Sequence, residues 1–183
     1  MTTLPQGWLV PDWPAPARVK ALFTTRSGGV SAPPFDSFNL GDHVRDAPAA
    51  VATNRMRLAD ALRVRPVFLK QVHGTAVVVL NPDTADGTEA DACLSTQPGV
   101  ACTIMVADCL PVLFTNTVGA VVAAAHAGWR GLAGEGAGQG VLEATFDAFV
   151  RTVQGMDPAA SRESVAASTL VWLGPCIGPE AFE

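Results

Sequence analysis

Hydrophobic positions along the chain fall into short apolar or alternating runs, and only two stretches carry helical spacing. Residues 19–25, 67–72, 75–80, 91–95, 100–107, 112–115, 119–125 and 169–173 read as strands. The run 119–125 is continuously apolar, as befits a strand covered on both faces. His73-Gly74 separates two β-rich runs and predicts a hairpin or a bulge. Asp46-Ala-Pro48 opens a helix to about Arg63, with the aspartate as cap and the proline in the first turn, where it costs no intrahelical bond. Val51, Met56, Leu58 and Leu62 give that helix a ragged apolar face. A glycine-rich turn, residues 126–140, leads into a second helix over 141–153, where Leu142, Phe146, Phe149 and Val150 share a face. Residues up to Pro16 hold four prolines and two tryptophans and predict an irregular arm on the surface. Residues 26–35 form a long loop rich in glycine and proline, of a kind more often functional than idle. Many short strands with two helices imply an α+β fold, a mixed sheet with helices laid on it.

With 183 residues, 49% of them hydrophobic and 16% charged, the chain has the makings of one well-filled core and none of the character of a disordered protein. Neither an internal repeat nor a linker divides it, so residues 1–183 read as a single domain. The net charge of -5, without any basic run, argues against a nucleic-acid partner. No apolar segment approaches the roughly 18 residues of a membrane span, and the first residues lack the pattern of a secretory signal. Four cysteines without a Cys-x-x-Cys pair fit reduced thiols. A soluble protein of the cytoplasm is expected.

The candidate chemistry is sparse. The three histidines, His43, His73 and His126, each sit beside glycine or a turn. Cys109 ends a long apolar strand, where a side chain can project into a pocket; Cys102 reads as an ordinary buried thiol. Cys109, His73 and His126 would together suit zinc, leaving a fourth tetrahedral position for water or substrate. The separations of 36 and 17 residues match no short zinc motif. Two alternatives stand beside the metal: a Cys–His nucleophile pair on the same residues, and three unrelated polar side chains near loops. Multicopper oxidation fails on the histidine count. The glycine-rich stretch 131–140 lacks both the Gly-Lys-Ser/Thr ending and the Gly-x-Gly-x-x-Gly fingerprint of nucleotide loops. Arg26 and Arg130 are the better anion candidates, since a guanidinium fork fits phosphate. Asn39 and Gln71 are candidates for orienting substrate or ligands.

Taken in order, residues 24–35 (TTRSGGVSAPPF), 38–44 (FNLGDHV), 71–74 (QVHG), 107–114 (ADCLPVLF), 126–131 (HAGWRG) and 174–179 (GPCIGP) form a specific series. The series closely resembles the YfiH/YlmD family, labelled polyphenol oxidoreductase or laccase-domain proteins and also described as purine nucleoside phosphorylases. The resemblance implies a layered α/β fold with mixed sheets, related to the cytotoxic necrotizing factor catalytic domain. It implies a zinc site on His73, Cys109 and His126. The activity implied is phosphate-dependent cleavage of adenosine, inosine and methylthioadenosine to base and ribose 1-phosphate, together with deamination of adenosine. Asp108 or Glu135 would then shuttle protons. Copper survives only through the older label, and a non-catalytic metal- or partner-binding domain is the reading from a different class. Members of the family usually continue for some tens of residues, so the resemblance implies that a last strand and helix are missing here.

Overall fold

The computed structural model describes residue 5 and residues 7–134 and 138–182. Its elements run α1 (Pro48–Leu62), β1 (Arg65–Phe68), β2 (Val77–Val79), β3 (Ala92–Ser95), β4 (Val100–Thr103), β5 (Leu110–Asn116), β6 (Val122–Ala127), α2 (Trp129–Ala133), α3 (Val141–Met156), α4 (Arg162–Ser168) and β7 (Thr169–Leu173). The architecture is the mixed α+β arrangement expected. The chain divides into two compact units, Met1–Asp12 with Ala21–Pro66 and Trp13–Lys20 with Val67–Glu183. None of the helices is long and apolar enough to cross a membrane, among the described residues.

In the smaller unit, α1 begins with Pro48 as the sequence predicts, but Asp46 does not cap it. The N-cap is Ala47, and the Asp46 carboxylate accepts from Ala47 N at 2.7 Å and from Asn39 Nδ2 at 3.0 Å. Val51, Asn54 and Leu58 face inward while Met56 stays 60% exposed. The apolar face looks ragged because an amide occupies its centre. Asn54 is fully buried; its Oδ1 accepts from Val30 N at 3.0 Å, and its Nδ2 reaches Ser31 Oγ, Ser37 O and Asn39 O at 2.9–3.1 Å. One side chain thus supplies partners to backbone groups that belong to no strand ladder, which is how the long loop stays ordered.

Two expectations for this unit fail. The strand predicted over 19–25 shrinks to a single antiparallel bridge, Leu9 with Phe23, and its first two residues, 19 and 20, belong to the other unit. Nor is the N-terminal arm wholly superficial. Trp8 is only 9% exposed and packs against Phe38, ring centroids 5.4 Å apart, since a large aromatic surface is better removed from water.

The larger unit is built on a five-stranded sheet ordered β2-β3-β6-β5-β7, parallel between β2 and β3 and antiparallel elsewhere. A second sheet pairs β1 with β4. The hairpin predicted about His73 therefore does not form: β1 and β2 enter different sheets, and His73 lies in the connection. Side chains alternate across the large sheet. Ala92, Leu94, Val112, Phe114, Ala123 and Ala125 meet Val141, Ala148 and Phe149 of α3 on one face. Cys93, Leu113 and Ala124 meet Val67, Leu69 and Val100 on the other. α2 and α4, of five and seven residues, are too short to show a helical period in sequence. α4 does carry a start signal, with Ser161 Oγ accepting from Ser164 N at 3.1 Å.

Asn54→Ala should lower the unfolding free energy by about 3 kcal/mol, because it removes four hydrogen bonds at once, the one to Ser31 Oγ fully buried and the others partly so. Urea denaturation of the whole chain measures the loss.

Candidate metal centre

Sheet register brings the distant candidate ligands together. β5 and β6 pair with Pro111 opposite His126, so residue 109, just before β5, lies at the end of β6 that carries His126. The connection between β1 and β2 delivers His73 to the same place. One nitrogen or sulfur from each of His73, Cys109 and His126 lies within 4.8 Å of the others. Cys109 Sγ is 3.7 Å from His73 Nε2, and the two imidazoles meet edge to face at 4.7 Å between centroids. His126 is buried, Cys109 half-buried and His73 exposed, so the cluster opens to solvent on the His73 side.

Beneath the cluster lies a residue to which the sequence reading gave no chemistry. Asp91 is fully buried at the head of β3. Its Oδ1 accepts from His73 N and His126 Nδ1, both at 2.8 Å, and its Oδ2 accepts from Val72 N at 3.1 Å and Gly74 N at 2.8 Å. Burial works to raise its pKa, yet the bond from His126 and those from Gly74, Val72 and His73 outweigh it and leave the carboxyl below its ordinary value. Consecutive amides of an extended chain point to opposite sides. The left-handed turn at His73, with φ of 62°, lets three in a row converge on one carboxylate. The only sequence signal was an acid set against an apolar strand, Ala90-Asp-Ala-Cys-Leu94.

The surroundings fit an ion. A Cβ built on Gly128 would stand 2.8 Å from His73 Cδ2 and 3.0 Å from Cys109 Sγ, so only glycine leaves the space between these ligands clear. Two imidazoles and one thiol form a donor set that suits zinc with an open fourth position. Burial first, then the charges of Asp108 and Asp91, push the Cys109 thiol above its ordinary value.

The remaining candidates are placed as follows. Arg130, in α2 two residues after Gly128, is exposed, with its guanidinium 5.0 Å from the centre of the Trp129 ring. Asp108 is exposed beside Cys109, and its carbonyl accepts from Ile177 N at 2.9 Å, which ties the Gly-Pro-Cys-Ile segment to the cysteine loop. Gln71 is engaged at both ends of its amide, donating to Met105 O and accepting from Met105 N at 2.8 Å each. Arg26 and Asn39 belong to the smaller unit. There Arg26 pairs with Asp36 at 3.3 Å, and Asn39 bonds Gly41 and Asp46. His43, in the same unit, is exposed beside Asp42. Glu135 lies outside the described residues. A groove of about 430 Å³ between α3 and β7 is lined by none of these residues.

Two outcomes follow for the metal. Gly128 has φ of -68°, open to any residue, so Gly128→Ala tests space alone. It should weaken zinc binding about tenfold or more in competition with a chromophoric chelator. A zinc ion bound there would also have to displace the Cys109 proton. Affinity should therefore rise with pH through the neutral range and level off above the raised thiol value, as titrations at stepped pH would show.

The chain is similar to several known proteins along most of its length. The family model described as multi-copper polyphenol oxidoreductase laccase matches residues 20–183. A purine nucleoside phosphorylase of Pseudomonas aeruginosa is 57% identical over 97% of the chain, and purine nucleoside phosphorylase YfiH of Escherichia coli 49% over 96%. The chain spans 65% of the length of each of these relatives. Among solved structures, a Neisseria meningitidis protein of the DUF152 family superposes with a TM-score of 0.80 at 43% identity, covering 96% of this chain and 65% of that one. YlmD from Geobacillus stearothermophilus superposes with a TM-score of 0.70 at 31% identity, covering 89% and 60%. The chain belongs to the laccase-domain family that includes the YfiH proteins.

Proposed function

We propose that the chain carries the metal centre of a zinc-dependent purine nucleoside phosphorylase. Adenosine, inosine and methylthioadenosine would be cleaved with phosphate to base and ribose 1-phosphate, and adenosine would also be deaminated. The observation that carries this reading is the convergence of His73, Cys109 and His126 within 4.8 Å around a space that Gly128 keeps open. The names of the relatives at 57% and 49% identity support the phosphorylase assignment. A zinc ion held there supplies a Lewis acid and activates water near neutral pH. The three histidines of the whole sequence weigh against a multicopper oxidase.

The residues divide the work by position. His126 is the anchored ligand, its ring fixed from below by Asp91; His73 forms the solvent-side wall through which substrate enters. Arg130 offers an exposed guanidinium close in sequence to Gly128 and is assigned to phosphate. Arg26 is the weaker candidate, because Nε and Nη2 already engage Asp36. Asp108, exposed beside Cys109, is assigned the proton that the departing base or amine requires. Asn39 and Gln71 act through the loops they brace.

The contact of 3.7 Å between Cys109 Sγ and His73 Nε2 favours one second reading, a metal-free Cys–His hydrolase. Elemental analysis and chromatography of adenosine incubated with and without phosphate separate the two. Adenine formed only with phosphate, and lost on chelation, is the expected result; inosine reports deamination. Turnover that survives chelation but not thiol alkylation favours the hydrolase, and no turnover by the chain either zinc-loaded or metal-free sinks both. Arg130→Ala should raise the phosphate KM about tenfold or more, the worth of a charged hydrogen bond, and leave zinc content unchanged.

A further inference from the structure

We propose that Asp91 is the positioning residue that sets the ligand geometry of the metal centre before any ion arrives. The inference rests on the metal reading of the site but concerns a residue outside the ligand set. Asp91 holds His126 at two points: its carbonyl accepts from His126 N at 2.7 Å, and its Oδ1 accepts from the ring at Nδ1 at 2.8 Å. A proton fixed on Nδ1 leaves Nε2 as the lone-pair nitrogen for the ion. The same carboxylate gathers the amides of residues 72–74, so one side chain fixes both the tautomer of one imidazole and the backbone that presents the other. Its own main chain is bonded to Ala76 O through the amide at 3.0 Å, which ties this clamp to the sheet. A metal ligand oriented in this way binds more tightly because the protein, and not the ion, bears the cost of ordering it. Asparagine at 91 could not reproduce the clamp. All four incoming groups are donors, and an amide nitrogen would present hydrogens to two of them.

Asp91→Asn should weaken zinc binding about 10- to 100-fold. It should also shift the visible absorption bands of the cobalt-substituted chain, since the ligand field changes with the His126 ring. A residue that merely supports the fold would lower the melting temperature and leave the cobalt spectrum alone. The second measurement needs no variant. In metal-free wild-type chain, nitrogen NMR should find His126 protonated at Nδ1 and bare at Nε2. Full zinc affinity with an unchanged cobalt spectrum in a folded Asp91→Asn chain overturns the proposal, and so does the opposite tautomer in wild type. Wild-type chain that binds no zinc but shows the expected tautomer overturns the metal reading instead.

Discussion

A negative charge removed from water has to be surrounded by donors, and the end of the sheet that bears His73, Cys109 and His126 is shaped by that demand. Asp91 loses its hydration entirely and recovers it as four hydrogen bonds from four different groups. Meeting them requires the chain between β1 and β2 to turn left-handed at a histidine, a conformation uncommon outside glycine. It also requires β6 to present an imidazole nitrogen downward. The ligand cluster sits directly above this arrangement.

Close approach is the second theme, and glycine and alanine supply it. β6 reads Val-Ala-Ala-Ala-His-Ala, a weak strand former by propensity but small enough to pack α3 on one face and Cys93 and Leu113 on the other. A Cβ at Gly131 would come within 3.0 Å of Gly74 O, so α2 lies against the turn that carries His73. Gly128 does the same for the ligand side chains. The glycines of His126-Ala-Gly-Trp-Arg-Gly131 thus reflect close contact of backbone with backbone at Gly131 and with the His73 and Cys109 side chains at Gly128.

Much of the larger unit is legible in sequence because its strands are short apolar runs bounded by turns: β3, β5 and β7 fall close to where the pattern puts them. β6, by contrast, is displaced from 119–125 to Val122–Ala127 and takes His126 out of the expected turn. α3 also falls where the pattern puts it, and its Phe149 and Val150 mark an inward face. Pairing is another matter. Nothing in residues 67–80 says that two adjacent strands enter different sheets, since that choice is made by long-range partners at residues 92–103. The smaller unit is less legible still, because its order comes from one polar side chain, Asn54, answering backbone groups up to 24 residues away. At the site, residue type and the family resemblance point to His73, Cys109 and His126. Asp91 stays hidden because a lone acid beside an apolar run reads as a strand boundary.

The amide of Gln71 spans to residue 105 with the same reciprocal pair of bonds that two facing residues exchange across antiparallel strands. A side chain here imitates a length of main chain, and the imitation is chemically narrow. Glutamate lacks the donor, leucine lacks both functions, and asparagine is one carbon short of the span. Position 71 is therefore a ruler of fixed length, hydrogen-bonded between two loops. The tolerance of this corner of the protein to replacement is set by the reach of a single methylene, two residues before the solvent-side imidazole.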